Sequence, residues 1–143
     1  MKFNPYIVGL TLIAVLVMFG QNAAVKSLMS IDGELSQSDL LSISEHTNQS
    51  LPLMVDPDTR LDETLVEENT FVYRYTVTKY NADELTSSNF ASLIQEDLAS
   101  AYCEAEETKQ FYESGVLLKY EYTDCCGKLA AVVVISPSDC DDS

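Results

Sequence analysis

From Tyr6 to Phe19 the chain reads YIVGLTLIAVLVMF without a single charge, and polar residues take over only afterwards, with Asp32 the first acid. Lys2 stands before this run. A basic start followed by a short apolar stretch is the pattern of an export signal. A buried helix of a cytosolic protein would show a polar stripe, and this run has none. Small residues close it at Ala23 and Ala24, but Gln21 or Asn22 holds the position two residues earlier, where a signal peptidase site wants a small apolar side chain. Residues 1–25 therefore have two readings, a cleaved signal peptide or a retained anchor helix over 6–24. The anchor is long enough only if Gln21 and Asn22 sit among the headgroups. With Lys2 inside, the positive-inside rule carries the rest of the chain across the membrane, into an oxidising space.

Residues 26–37 read as a polar linker, and 38–143 as a single domain. A helix is expected from Asp39 to Ser50, with Ser38 as N-cap and Leu40, Ile43 and Thr47 as its apolar stripe. Pro52 stops it. Pro57 and the aspartates around it mark a turn. Thr64 to Glu67 and Phe71 to Tyr80 follow as strands joined by EENT. In the second of these, Phe71, Tyr73, Tyr75 and Val77 alternate with Val72, Arg74, Thr76 and Thr78, so one face is buried and the other wet. The period then changes. Phe90, Leu93, Ile94, Leu98 and Ala101 recur at helical spacing, capped by Ser88 or Asn89. A shorter helix over Glu104 to Ser114 ends at Gly115 as its C′ residue. VLLKYEYT and KLAAVVVIS read as two more strands joined by DCCG, the last so apolar that it is expected to be central. The sum is an α+β fold: a four-stranded antiparallel sheet from two hairpins, helices packed on one face, plus the N-terminal apolar helix.

Charge narrows the partners. The chain carries 23 acidic and 8 basic residues, a formal net charge of −15, and every acid follows the apolar run. Phosphate backbones are bound by clustered Lys and Arg, so nucleic acid is excluded as a partner. Docking on anionic headgroups is disfavoured for the same reason.

Four cysteines, Cys103, Cys125, Cys126 and Cys140, lie in the last 41 residues. In an exported domain they imply disulfides. A strand of eight residues spans about 26 Å, while bridged Cα atoms lie within about 7 Å. The hairpin tip with Cys125 and Cys126 therefore cannot reach Cys140 beyond its base. Cys103, at the end of the long helix, pairs with Cys140, closing a loop worth about 3–4 kcal/mol in the chain-entropy model. Cys125 and Cys126 are left as a vicinal bridge or a free pair. No metal site is expected, because His46 is the lone histidine and no Cys-x-x-Cys spacing occurs.

Other constellations fall away. DPDTRLDETLVE places Asp56, Asp58 and Glu67 at calcium-loop positions, but Arg60 and Leu61 stand where a ligand and the glycine belong. There is no Gly-x-Ser-x-Gly and no glycine-rich phosphate loop. No catalytic residue and no cofactor is assigned. Arg60, the one base among these acids, is a candidate clamp with Asp56 or Asp62.

LPLMVDPDTRLD, the aromatic strand FVYRYTV and the terminal SPSDC together resemble small uncharacterised bacterial envelope or periplasmic proteins, in which an apolar N-terminal segment precedes one α+β domain. The likeness runs from about Leu51 to Cys140. It implies the exported location and agrees with the Cys103–Cys140 pairing, and it transfers no catalytic residue. The expected function is a non-enzymatic binding or accessory module of the bacterial envelope, inner-membrane anchored and facing the periplasm, or periplasmic or secreted, with a protein partner. Two alternatives stand beside it: an acidic inhibitor or immunity-type protein against a basic enzyme or toxin, and a thiol-active protein using Cys125 and Cys126.

Overall fold

The computed structural model describes residues 34–87 and 89–141. The apolar segment, with its two readings, lies outside these residues, as does Ser88. Among the described residues no helix is long and apolar enough to cross a membrane.

Helix α1 spans Gln37–Asn48. Its N-cap is Ser36 rather than Ser38. The Ser36 hydroxyl accepts from the Asp39 N–H at 3.1 Å, and the Asp39 carboxylate accepts from the Ser36 N–H at 2.7 Å. This reciprocal box needs a side-chain acceptor three residues into the helix. From Ser36 that residue is Asp39, whereas from Ser38 it would be Leu41. Leu35, just before the cap, is already buried in the core.

Five strands follow where four were expected: β1 (Leu53–Asp56), β2 (Thr59–Glu67), β3 (Thr70–Val77), β4 (Leu117–Thr123) and β5 (Leu129–Ile135). They lie in chain order across one sheet. The additional strand, β1, is a short edge strand between Pro52 and Pro57, which make the stretch look like a loop. The Asp56 carboxylate accepts from the Asp58 N–H at 2.7 Å and closes the turn into β2. The sheet is mixed rather than antiparallel, because β3 and β4 pair in parallel. Their connection carries α2 (Ala82–Ser87), α3 (Phe90–Glu104), a 3₁₀ turn (Glu106–Thr108) and α4 (Lys109–Glu113). A helical layer of this length returns the chain to the end of the sheet where β3 began, so β4 sets out in the same direction. The predicted helix over Glu104 to Ser114 is thus a 3₁₀ turn followed by α4, with Gly115 beyond it at φ +70°. The last strand is an edge, not a central strand.

One side of the sheet holds the core. Inward residues of β2 to β5 (Leu61, Phe71, Tyr73, Tyr75, Leu118, Tyr120, Tyr122, Val133, Ile135) form one cluster with Leu40 and Ile43 of α1 and Phe90, Ile94 and Leu98 of α3. Leu93, assigned to the buried stripe, lies at the surface. Tyr73 stacks on Tyr120 at 5.2 Å and Tyr75 on Tyr122 at 5.0 Å across the β3–β4 pair. Rings in that offset contact add about 0.5–1.5 kcal/mol beyond their burial. α1 is fixed to β2 by polar bonds as well: the Ser44 and Thr64 hydroxyls meet at 2.9 Å, and Asn48 bonds both backbone groups of Thr64.

Candidate functional site

The helices leave the opposite face of the sheet open. Register places Arg60, Glu63, Leu65, Glu67, Val72, Arg74, Lys119, Glu121, Val132 and Val134 there. A bulge in β2 between Leu61 and Glu63 turns Asp62 outward too, where it accepts from Arg60 and from the Thr76 hydroxyl.

The centre of this face is an ion-pair lattice. Arg74 lies 2.9 Å from Glu63 on one neighbouring strand and 2.9 Å from Glu121 on the other. Lys119 lies 3.2 Å from Glu121 and 3.4 Å from Glu67. Burial works against the Glu121 charge, but the hydrogen bonds from Arg74 and Lys119 outweigh it and hold its carboxyl below the usual range. Asp62, Glu63, Arg74, Tyr75, Glu121 and Thr123 line a shallow depression here. Each base on this face is matched to an acid, so the lattice offers a partner no strong net field.

The margin of the face is different. β5 is an edge strand, and its outward side chains Leu129, Val132 and Val134 are 54%, 43% and 44% exposed. Its inward side chains Ala131, Val133 and Ile135 are buried. An apolar edge strand bears backbone N–H and C=O groups along a hydrophobic strip, a template for another chain. This strip was missed in the sequence because an unbroken apolar strand reads as buried on both faces. No signal in the strand's own residues separates an edge from a central position.

The sequence-derived residues fall at three places. Cys103 and Cys140 are bonded, with Cα atoms 5.5 Å apart, and tie the end of α3 to the 3₁₀ turn after β5. Cys125 and Cys126 sit exposed and unbonded on the β4–β5 turn, with sulfurs 3.4 Å apart. Arg60 meets Asp62 on the open face, while Asp56 faces its own turn. The structure therefore does not gather these residues into one site. The Asp56–Glu67 stretch runs straight into β2 and forms no cation loop. Among the described residues no three His, Cys, Asp or Glu side chains come together as a metal site.

The architecture is that of an α+β domain with a mixed five-stranded sheet and helices on one side. The chain belongs to the family described as Domain of unknown function (DUF8479), whose model matches residues 34–129. No curated protein matches it. Three solved structures share the fold. One is a Pseudomonas aeruginosa protein inferred to be secreted, 17% identical over 72% of this chain and 90% of that one, with a TM-score of 0.64. Another is EpsS, the pilotin of the Vibrio vulnificus type 2 secretion system, at 14% identity, 71% and 87% coverage and a TM-score of 0.57. The third is AspS, the type II secretion system pilotin of Vibrio cholerae, at 14% identity, 71% and 88% coverage and a TM-score of 0.53.

Proposed function

We propose that the protein is a non-enzymatic accessory module of the bacterial envelope, which binds a segment of a protein partner along the edge and open face of β5. One observation carries the reading. The edge strand β5 turns Leu129, Val132 and Val134 outward together, whereas the other edge strand, β1, exposes Met54 and the strands between carry the ion-pair lattice. An extended apolar segment added there would take up the free backbone groups and cover the strip. The fold shared with two secretion-system pilotins favours an accessory role in an envelope machine. The apolar segment over 6–24 would deliver the domain there, as an anchor or as a cleaved signal, and N-terminal sequencing of the mature protein separates the two.

The test is a photo-reactive residue placed at Val132 or Val134 in living cells, with exposed Glu45 on α1 as control. We expect one discrete envelope-protein adduct from β5 and none from Glu45. Lysine at whichever of Val132 and Val134 does not carry the photo-reactive residue should sharply weaken the adduct, with stability changed by no more than about 0.5 kcal/mol. Contact through the apolar strip should survive high salt, whereas an acidic inhibitor gripping a basic enzyme or toxin by its field should let go. Equal cross-linking from every position, or loss in salt, would reject the β5 reading.

A further inference from the structure

The β4–β5 turn carries a chemistry that the binding strip does not use. Cys125 and Cys126 are exposed, and their sulfurs lie 3.4 Å apart. A disulfide bond is about 2.05 Å long, so closure asks them to approach by roughly 1.4 Å. The backbone beneath them is held from several directions. The Cys125 N–H donates to the Tyr80 carbonyl at 3.0 Å. One Asp124 carboxylate oxygen accepts from the Cys126 and Lys128 N–H groups, each at 2.8 Å, and the other accepts from the Ala82 N–H at 2.9 Å. The Gly127 N–H donates to the Asp124 carbonyl at 3.2 Å, at a φ of +85° that glycine takes without strain. The turn is thereby pinned to the start of α2 and to the link between β3 and α2, and a fixed backbone presents the two sulfurs side by side.

We propose that Cys125 and Cys126 form a thiol–disulfide exchange site that closes to a vicinal disulfide on meeting a disulfide-bearing oxidant, small or protein, and reopens independently of Cys103–Cys140. In the first step a Cys126 thiolate attacks one sulfur of the oxidant. The oxidant's S–S bond breaks, one thiolate leaves, and a mixed disulfide remains on Cys126. Cys125 then gives up its proton, its sulfur attacks the Cys126 sulfur, and the second thiolate departs. The pair has lost two protons and two electrons, and the oxidant disulfide has become two thiols. The order follows from the site. The hydrogen bond to Cys126 raises the Cys125 thiol pKa, with desolvation and the nearby Asp124 charge acting in the same direction, which suits Cys125 to the second, resolving step.

Reopening follows from the same anchors. The closed ring spans a single peptide bond, and the N–H groups on both cysteines are tied, one to Tyr80 and one to Asp124. The Cys126 N–H belongs to that peptide, so twisting it works against the bond to Asp124, while the Cys125 N–H bond to Tyr80 holds the residue on the other side of the ring. Strained, exposed bridges are the more readily reduced ones. Cys103–Cys140 joins residues 37 apart at an ordinary Cα separation, and although Cys103 is exposed its Cys140 half packs against the core, so it is the harder of the two to open.

The experiment equilibrates the full protein in graded glutathione buffers, quenches with an alkylating agent and maps thiols by mass spectrometry. A vicinal bridge with no retained glutathione is expected. It should open at a thiol-to-disulfide ratio at least about tenfold lower than Cys103–Cys140. Cys125→Ser should trap glutathione on Cys126. Phenylarsine oxide, a dithiol reagent, should protect the native reduced pair and neither single serine variant. A parallel arm replaces glutathione with a disulfide-carrying oxidoreductase, and closure only in that arm assigns the protein source. Closure in neither arm, glutathione retained on the native pair, disulfide-linked dimers, or simultaneous opening of both bridges would overturn the proposal.

Discussion

Tyr102 and Tyr122 are both fully enclosed, yet their hydroxyls meet different surroundings. The Tyr102 hydroxyl donates to the Val116 carbonyl at 2.8 Å, while those of Tyr122 and Tyr120 find no hydrogen-bond partner among the described residues. An unpartnered buried hydroxyl costs stability, and a satisfied one contributes about 1 kcal/mol. Tyr122→Phe should therefore leave stability unchanged or raise it by up to about 1 kcal/mol, because the stacked ring is kept. Tyr102→Phe should lower it by about 1 kcal/mol. Denaturant midpoints for the two variants, with unchanged slopes, check the contrast, and equal destabilisation would contradict it. At this scale the alternation of Phe71, Tyr73 and Tyr75 was legible because one side of β3 is apolar throughout and, Val77 apart, aromatic. What the tyrosine hydroxyls touch was not, since it depends on which helix crosses above each ring. Nor was Val72 legible: it is buried on the open face between its register partners Leu65 and Lys119.

Among elements, the caps and turns were legible only in part, and the failures have local causes. α2 begins at an Asn-x-x-Glu box that the sequence displays: the Asn81 side chain accepts from the Glu84 N–H at 2.9 Å, and Glu84 accepts from the Asn81 N–H at 2.8 Å. The two prolines around β1 hid a strand, because an edge strand tolerates what a central one does not. In β2 the Arg60–Asp62 pair looks like a clamp, but both side chains are about a third exposed or more, and exposed pairs contribute little. Arg60→Ala should cost no more than about 1 kcal/mol, read as a thermal midpoint shift of a few degrees. A much larger loss would establish the clamp. The candidate binding strip on β5 was illegible for a different reason: burial of a strand's second face is decided by its neighbours, not by its own residues.

For the molecule as a whole, the enclosed tyrosines set the response to alkali. Burial raises the hydroxyl pKa of Tyr73, Tyr75, Tyr120 and Tyr122 above the ordinary value, and that of Tyr102 to about 12. The unfolded chain loses these protons near pH 10, while the folded chain keeps them. Their contribution is therefore complete below about pH 10 and is lost as pH climbs beyond it. Tyrosinate absorbance from this group should appear only with unfolding, and its appearance in the folded protein would count against enclosure. The acid limb has the opposite sign. Backbone bonds, first that from Lys128, lower the Asp124 pKa, and Glu121 is lowered too. Their support is present above the ordinary carboxylate range and drains away as pH falls through their depressed values. The strand order was beyond the sequence reading, because hairpin patterns reveal neighbours along the chain and say nothing of which strands meet across a crossover.

The parallel seam between β3 and β4 has a consequence for timing. Half of the tyrosine stack arrives only with residues 117–123, after the entire helical layer has been made. Until then the inward rings of β3 lack the tyrosines they stack on. Polypeptide emerging amino end first would therefore complete its aromatic core only once nearly the last strand has appeared.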